Sequence, residues 1–294
     1  MSPTVLILGA SGLLGQAMTT ACARRGWRTV GISRSTGVDL AAMVDQAVLA
    51  DELDRHHADV LVNAVAQTDL AACADDPASA WRLHAGLPAM LALWASARGL
   101  PWIQVSTDHY FCGAGAARHD EGAPVTLVNE YSRSKFAGER AALSSPSALV
   151  VRCNIVGRRG WPGRPSFAEW MAGSLAAGKS ISAYSDVWTS SLEATQAAAL
   201  MLDLLDIGVR GLVNVGMHQP CSKAAFVRRF AEAAGRDPAL VRATVRPPGG
   251  LARADSMGLD VSLAESLLGR SMPNTETVIQ ALVDCFEESS RVTP

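Results

Sequence analysis

The chain has 294 residues, 49% of them hydrophobic and 18% charged, with 26 basic against 28 acidic side chains and a formal net charge of -2. That composition excludes disorder as the main state, and so small a charge, spread without blocks, leaves no electrostatic footprint for nucleic acid or an anionic membrane surface. The length supports one large α/β unit or a core domain with a smaller lobe, and small molecules become the expected partners.

The N-terminal residues carry no basic leader, and no later run reaches the ~18 uninterrupted apolar residues of a membrane span, so a cytoplasmic protein is expected. Residues 4–8 form an aliphatic and β-branched run that predicts a strand. The turn Gly9-Ala10-Ser11-Gly12 follows, then a helix over 13–25 stopped by Gly26. A second strand is predicted over 29–32 and a helix over 40–57 capped by Asp39. The third strand, 60–62, is continuously apolar, as a parallel strand covered on both faces must be. One long helix is predicted over 77–98 behind Asp75-Asp76, ended by Gly99 and Pro101. A strand over 102–106, a helix over 131–143 and a strand over 149–151 complete the alternation.

Such an alternation predicts an α/β fold, a doubly wound parallel sheet of Rossmann type, with ligands at the carboxyl ends of its strands. Beyond Arg152 an Arg- and Gly-rich irregular loop over 157–165 marks a boundary. Helices over 167–177 and 192–205, a strand over 212–215, a helix capped by Ser222 running to 234 and a closing helix over 275–288 make up the remainder. The expected division is a domain over 1–153 and a smaller C-terminal lobe over 154–294, with part of 187–217 returning to the sheet. Cysteines at 22, 73, 112, 153, 221 and 285 lack C-x-x-C spacing and read as reduced structural thiols, with no metal site expected.

Three features carry chemistry. Gly9-Ala10-Ser11-Gly12-Leu13-Leu14-Gly15 places a G-x-x-G-x-x-G between the first strand and first helix, where glycines let a pyrophosphate approach N–H groups at a helix N-terminus. Ser33-Arg34-Ser35 ends the second strand where a carboxylate would favour NAD, so an Arg and hydroxyls point to a 2′-phosphate and NADPH, with NADH as the lesser option. Asp39-Leu40 follow as helix cap or adenine contact. Tyr131 and Lys135 stand four apart on a predicted helix, so a cation beside a phenol is expected to lower its pKa from ~10. Thr107, at the end of the fourth strand, offers a hydroxyl to a substrate carbonyl.

Together these features resemble the extended short-chain dehydrogenase/reductases, and more narrowly the dTDP-4-dehydrorhamnose reductase family. Further segments carrying the likeness are 59–68, 106–113, 130–139 and 149–152. The resemblance implies that Gly9, Ser11, Gly12, Leu13, Leu14 and Gly15 cradle the cofactor pyrophosphate, and that Ala64, Val65 and Ala66 line its adenosine and ribose side. It implies catalytic positions for Thr107, Tyr131 and Lys135, Lys135 also holding the nicotinamide ribose. The implied reaction is NADPH-dependent reduction of a nucleotide-linked 4-keto-6-deoxysugar or close analogue. Gln67, Ala71, His84, 109–113 and 189–192 depart from the family's residues, and all lie toward the substrate.

His109, Asn154, Arg158, Trp161, Trp188 and Arg253 are the expected substrate contacts. Guanidinium forks of Arg158, Arg159 and Arg164 suit a nucleotide diphosphate and an indole face suits a base, the alternative being a solvated Arg-rich loop with Trp packing between lobes. Two other functions stay open: a non-catalytic dinucleotide-binding regulatory subunit of the methionine adenosyltransferase β type, or a nucleotide-sugar epimerase or dehydratase. The oligomeric state stays open, with a homodimer as one option.

Overall fold

The structure, a computed structural model, describes residues 2–161 and 164–292, with side chains described through residue 288. Residues 162 and 163 of the expected Arg- and Gly-rich loop therefore lie outside the described residues. Six strands, all parallel, form the central sheet: β1 (Thr4–Leu8), β2 (Arg28–Ile32), β3 (Val60–Asn63), β4 (Trp102–Val105), β5 (Ala148–Cys153) and β6 (Gly211–Val215). Their order is β2-β1-β3-β4-β5-β6, so the winding reverses between β1 and β3 and opens a crevice at the carboxyl ends there. β6 comes from the second half of the chain and pairs with β5 from Gly211↔Leu149 to Val215↔Cys153.

Alternate side chains of each strand face opposite layers. Val5, Ile7, Val62 and Val151 pack under α1 (Leu13–Arg24), while Leu6, Leu8, Leu61 and Trp102 pack under the layer that holds α2 (Gln46–Asp54). Both faces of β1 and β3 are fully buried, which is why these strands carry unbroken apolar runs, whereas the edge strand β2 is half-exposed.

The expected helix over 40–57 is corrected: α2 starts at Gln46, because Asp45 and not Asp39 is the cap. The Asp45 carboxylate accepts from the Ala47 and Val48 amides at 2.7 and 3.1 Å, whereas Asp39 accepts only from Ala41, in a turn that buries Leu40. The long helix expected over 77–98 is also divided. Asp69 caps an unpredicted helix α3 (Leu70–Asp75), and Asp76 caps α4 (Pro77–Trp81). A π-helical turn, Arg82–Gly86, then leads into α5 (Leu87–Arg98).

α6 (Glu130–Ala142) begins at the buried cap Asn129, which exchanges bonds with Ser132. α7 (Phe167–Ala176) opens with a Ser166–Glu169 capping box, and α8 (Ala194–Asp206) packs beside α1. α9 (Lys223–Ala233), α10 (Ser262–Leu268) and α11 (Thr275–Val292) complete the helices. Short strands accompany them: Trp188–Thr189 pairs with Ser256–Leu259 and Cys221–Ser222, and Ile181–Tyr184 pairs with Val241–Thr244. Among the described residues, no helix is long and apolar enough to cross a membrane.

Candidate active site

The glycine-rich turn is built for close approach. Gly9 has φ +81°, a left-handed conformation that favours glycine, and its amide donates to the Ile32 carbonyl at 2.8 Å. A Cβ on Gly15 would lie 2.2 Å from the Gly9 carbonyl oxygen, so only glycine lets α1 rise this close to the strand end. Gly12 precedes α1 without a side-chain cap, and the first turn holds no acidic residue. Its unpaired N–H groups and dipole are thus left to an anion.

Two adjoining cavities open from this turn. The larger, about 670 Å³, runs from Gly12 and Leu13 past Ala64–Gln67 to Thr107, His109, Tyr131, Lys135 and Asn154. The smaller, about 290 Å³, is lined by Gly9, Ser11, Ser33, Arg34, Asp39 and Leu40. They share Gly12, Arg34, Ala64, Val65, Ala66, Gln67 and Trp161. The donor set fits a dinucleotide: a cradle that a Cβ would block, an uncapped helix end and an exposed Arg34 at the tip of β2.

Thr107, Tyr131 and Lys135 meet in the larger cavity. Thr107 follows β4, and its hydroxyl accepts from the His109 amide at 3.2 Å and lies close enough to the Tyr131 phenol to favour its ionised form. The capping box at Asn129 fixes the start of α6, so Tyr131 and Lys135 rise one turn apart on its buried face. Lys135 Nζ donates to the Val105 carbonyl at 2.7 Å, and burial brings its pKa down from 10.5 to about 8.

The expected lowering of the phenol's pKa by Lys135 is not what the structure shows. Burial pushes Tyr131 well above its ordinary value and the nearby Asp108 adds to the rise, against the Thr107 hydroxyl. The ammonium is instead committed to a backbone carbonyl.

Two imidazoles hold the Tyr131 ring, each edge-on with centroids 5.5 Å away: His84 at 86° and His109 at 77°. His84 Nε2 accepts from the Gln67 amide at 2.9 Å, so the neutral ring carries its proton on Nδ1 and gives it to Ser134 Oγ at 2.9 Å. Burial depresses His84 to about 3 and His109 to about 4, so both are neutral at physiological pH. His109 Nδ1 is buried and, among the described residues, has no partner.

Asp108 is fully buried, and burial raises its carboxyl to about 7. It closes a ring of polar groups. Asn154 Nδ2 donates to Asp108 at 3.2 Å, Ser191 Oγ donates to Asn154 Oδ1 at 2.7 Å, Ser191 meets Thr189 at 2.9 Å, and Thr189 reaches Asp108 at 3.5 Å.

Three expected substrate contacts do not line these cavities. Arg158 is exposed and its backbone meets Cys285 of α11, while its neighbours Arg159 and Arg164 line the larger cavity. Trp188 is engaged in strand pairing with Ser256 and Ser222. Arg253 is exposed at the rim, near enough for its charge to lower both His109 and Lys223. Gly15 serves helix-to-strand packing and lines neither cavity. Sequence reasoning placed Gln67 and His84 toward the substrate but assigned no role in the site to them or to Asp108. Asp108 adjoins Thr107 in sequence and could have been found from that alone. His84 depends on the π-helical turn, which leaves no periodic signal.

All six cysteines are free, and among the described residues no group of three or more His, Cys, Asp or Glu converges as metal ligands.

Comparison with known proteins agrees with this architecture. The chain is 31% identical over 298 residues to a probable low-salt glycan biosynthesis reductase of Haloferax volcanii, covering 97% of this chain and 98% of that protein. It is 34% identical over 251 residues to a dTDP-4-dehydrorhamnose reductase of Mycobacterium tuberculosis, covering 82% and 79% of the two chains. The solved dTDP-4-dehydrorhamnose reductase of Bacillus anthracis in complex with NADP has the same fold, with a TM-score of 0.84 at 19% identity over 98% of this chain and 100% of that one. Residues 3–288 match the RmlD substrate binding domain, and the chain belongs to that family.

Proposed function

We propose that the protein is an NADPH-dependent ketoreductase acting in the cytoplasm on a nucleotide-activated 4-keto-6-deoxysugar or close analogue, with residues 154–294, apart from the strand returned to the sheet, as substrate lobe. The observation that carries this reading is the convergence of Thr107, Tyr131 and Lys135 in one cavity continuous with the glycine-rich crevice. Names of the curated relatives, a glycan biosynthesis reductase and a dTDP-4-dehydrorhamnose reductase, support the substrate class. Arg34 beside the smaller cavity supports a 2′-phosphate and hence NADPH.

When bound, the nicotinamide supplies a hydride to the carbonyl carbon. Tyr131 is protonated at neutral pH because burial favours the neutral phenol, so its O–H is available for the carbonyl oxygen as negative charge develops there. The Thr107 hydroxyl lines the same cavity beside the phenol and provides a second donor to the same oxygen. Lys135 keeps a donor beside the strand end for a ribose hydroxyl, and His109 lines the cavity where the sugar would lie. Asn154 lines the same cavity, while Lys223 and Arg253 bring positive charge toward His109 from the lobe, suited to a diphosphate.

Purified Tyr131→Phe tests the assignment. The wild type is expected to oxidise NADPH in the presence of a dTDP-linked 4-keto-6-deoxysugar, and the variant to lose about 10²-fold or more in kcat, the ordinary share of a positioned acid. Full turnover by the variant would remove Tyr131 from the reaction.

A further inference from the structure

We infer that Arg159 and Trp161 clasp the pyrophosphate of the bound dinucleotide against the glycine-rich loop, so that the strap 159–161 belongs to the cofactor site and not to the substrate site. The inference rests on the dinucleotide reading above but not on the identity of the ketone.

The strap is tied directly to the loop it covers. Trp161 Nε1 donates to the Ser11 carbonyl at 3.1 Å. Gln16, on the first turn of α1, donates to the same carbonyl at 2.8 Å and to the Arg159 carbonyl at 3.1 Å. From the other side Glu169 Oε1 accepts from the Arg159 and Gly160 amides at 3.1 and 2.6 Å, the same carboxylate that closes the capping box of α7. Gly160 has φ +74°, the reversal that lets the chain double back between these anchors. One carboxylate and one carboxamide thus fix the strap to two helices.

Position identifies what it faces. Trp161 lines both cavities, as does Gly12 at the uncapped start of α1, and the Trp161 indole is bonded to the Ser11 carbonyl of that same turn. In a dinucleotide whose adenosine end lies by Ser33 and Asp39, which line only the smaller cavity, and whose reactive end lies by Tyr131, which lines only the larger, the pyrophosphate falls at the glycine-rich turn between them. Arg159 lines the larger cavity with Gly12 and Leu13, the residues at the uncapped start of α1. Its guanidinium lies 4.3 Å from the Trp161 ring and donates to the Arg164 carbonyl. Its Nε–H is buried and, among the described residues, without a partner. A guanidinium opposite a helix N-terminus encloses an anion between two positive ends.

The test is calorimetric titration of the purified protein with NADPH and NADH, no ketone being needed. Arg159→Ala is expected to weaken both dinucleotides about tenfold, or 1.4 kcal/mol, because the pyrophosphate is common to them. Arg34→Ala is expected to weaken NADPH alone. Arg159→Lys, which keeps the charge, should recover part of the loss, and an unchanged melting temperature in each variant shows that the fold is intact. Trp161→Phe should diminish the quenching of protein fluorescence by NADPH. Unchanged affinity for both dinucleotides in Arg159→Ala, or a loss confined to NADPH, would overturn the assignment. Failure of the wild type to bind either dinucleotide would instead overturn the reading of the whole crevice.

Discussion

Replacing Glu139 by Leu should be among the most damaging single changes outside the cavity. Glu139 stands one turn beyond Lys135 on α6, and its Oε1 and Oε2 accept from Arg152 Nη2 and Nε at 2.6 and 3.0 Å. Ser106 Oγ adds a third bond at 2.7 Å. The two side chains are 0% and 3% exposed, so the substitution strands a guanidinium that keeps only the Glu121 carbonyl at 3.3 Å and the faces of Tyr110 and Phe111. Breaking such a buried pair costs about 3–5 kcal/mol, against a total stability of about 5–15 kcal/mol. For a chain of this size that corresponds to a fall in Tm of roughly 5–10 °C. Removing both charges with Glu139→Leu and Arg152→Met should restore most of the loss, because the uncompensated charge is the main penalty. Urea unfolding of the four proteins of this cycle measures the coupling. A single-variant cost below about 1 kcal/mol, or a double variant as unstable as the sum of the singles, refutes the reasoning.

Gly15→Ala should impair folding and dinucleotide binding together, since its methyl would sit 2.2 Å from the Gly9 carbonyl oxygen; calorimetric titration and thermal melting read both effects. Lys135, held at about 8, loses its charge as pH rises through that value, so kcat/KM of the free enzyme should fall on an alkaline limb near pH 8 that Lys135→Arg removes. In stability the same depression acts in the other sense: its contribution is complete above the ordinary 10.5 and is lost as pH falls through about 8. Asp108, raised from 3.8 to about 7, makes a contribution that is full below 3.8 and lost as pH rises through about 7. Asp108→Asn should therefore flatten that part of the stability curve by up to about 4 kcal/mol in denaturant titrations, the Lys223 charge opposing part of the effect.

The sheet was legible because a strand buried on both faces carries an unbroken apolar run, as Val5–Leu8 in β1, Val60–Val62 in β3 and Ala148–Val151 in β5 do. The catalytic set was legible because four-residue spacing on α6 and a strand end at Thr107 are local properties that the fold inherits unchanged. Helix boundaries failed where two acids competed to cap, Asp39 against Asp45, since only the pair of amides facing Asp45 decides between them. The break within 77–98 has a tertiary cause: a Cβ on Gly138 of α6 would lie 1.7 Å from the His84 carbonyl oxygen, and the π-helical turn presses against α6 at that point. Short strands of the second half, such as Trp188–Thr189, hold too few residues to show alternation, which hid the pairing of Trp188. In the loop after β5 no period tells Arg158 from Arg159, and the difference between solvent and cavity was set by the anchors Glu169 and Gln16.

Because β6 reaches the sheet only after about sixty further residues have followed β5, a ribosome exposes the flank of β5 well before its neighbour exists. During that interval the hydrogen-bonding groups of a wholly apolar stretch, Ala148 to Val151, stand open to any passing polypeptide. Nascent chains halted between these two strands should engage holdases, whereas those extended past Val215 should be released.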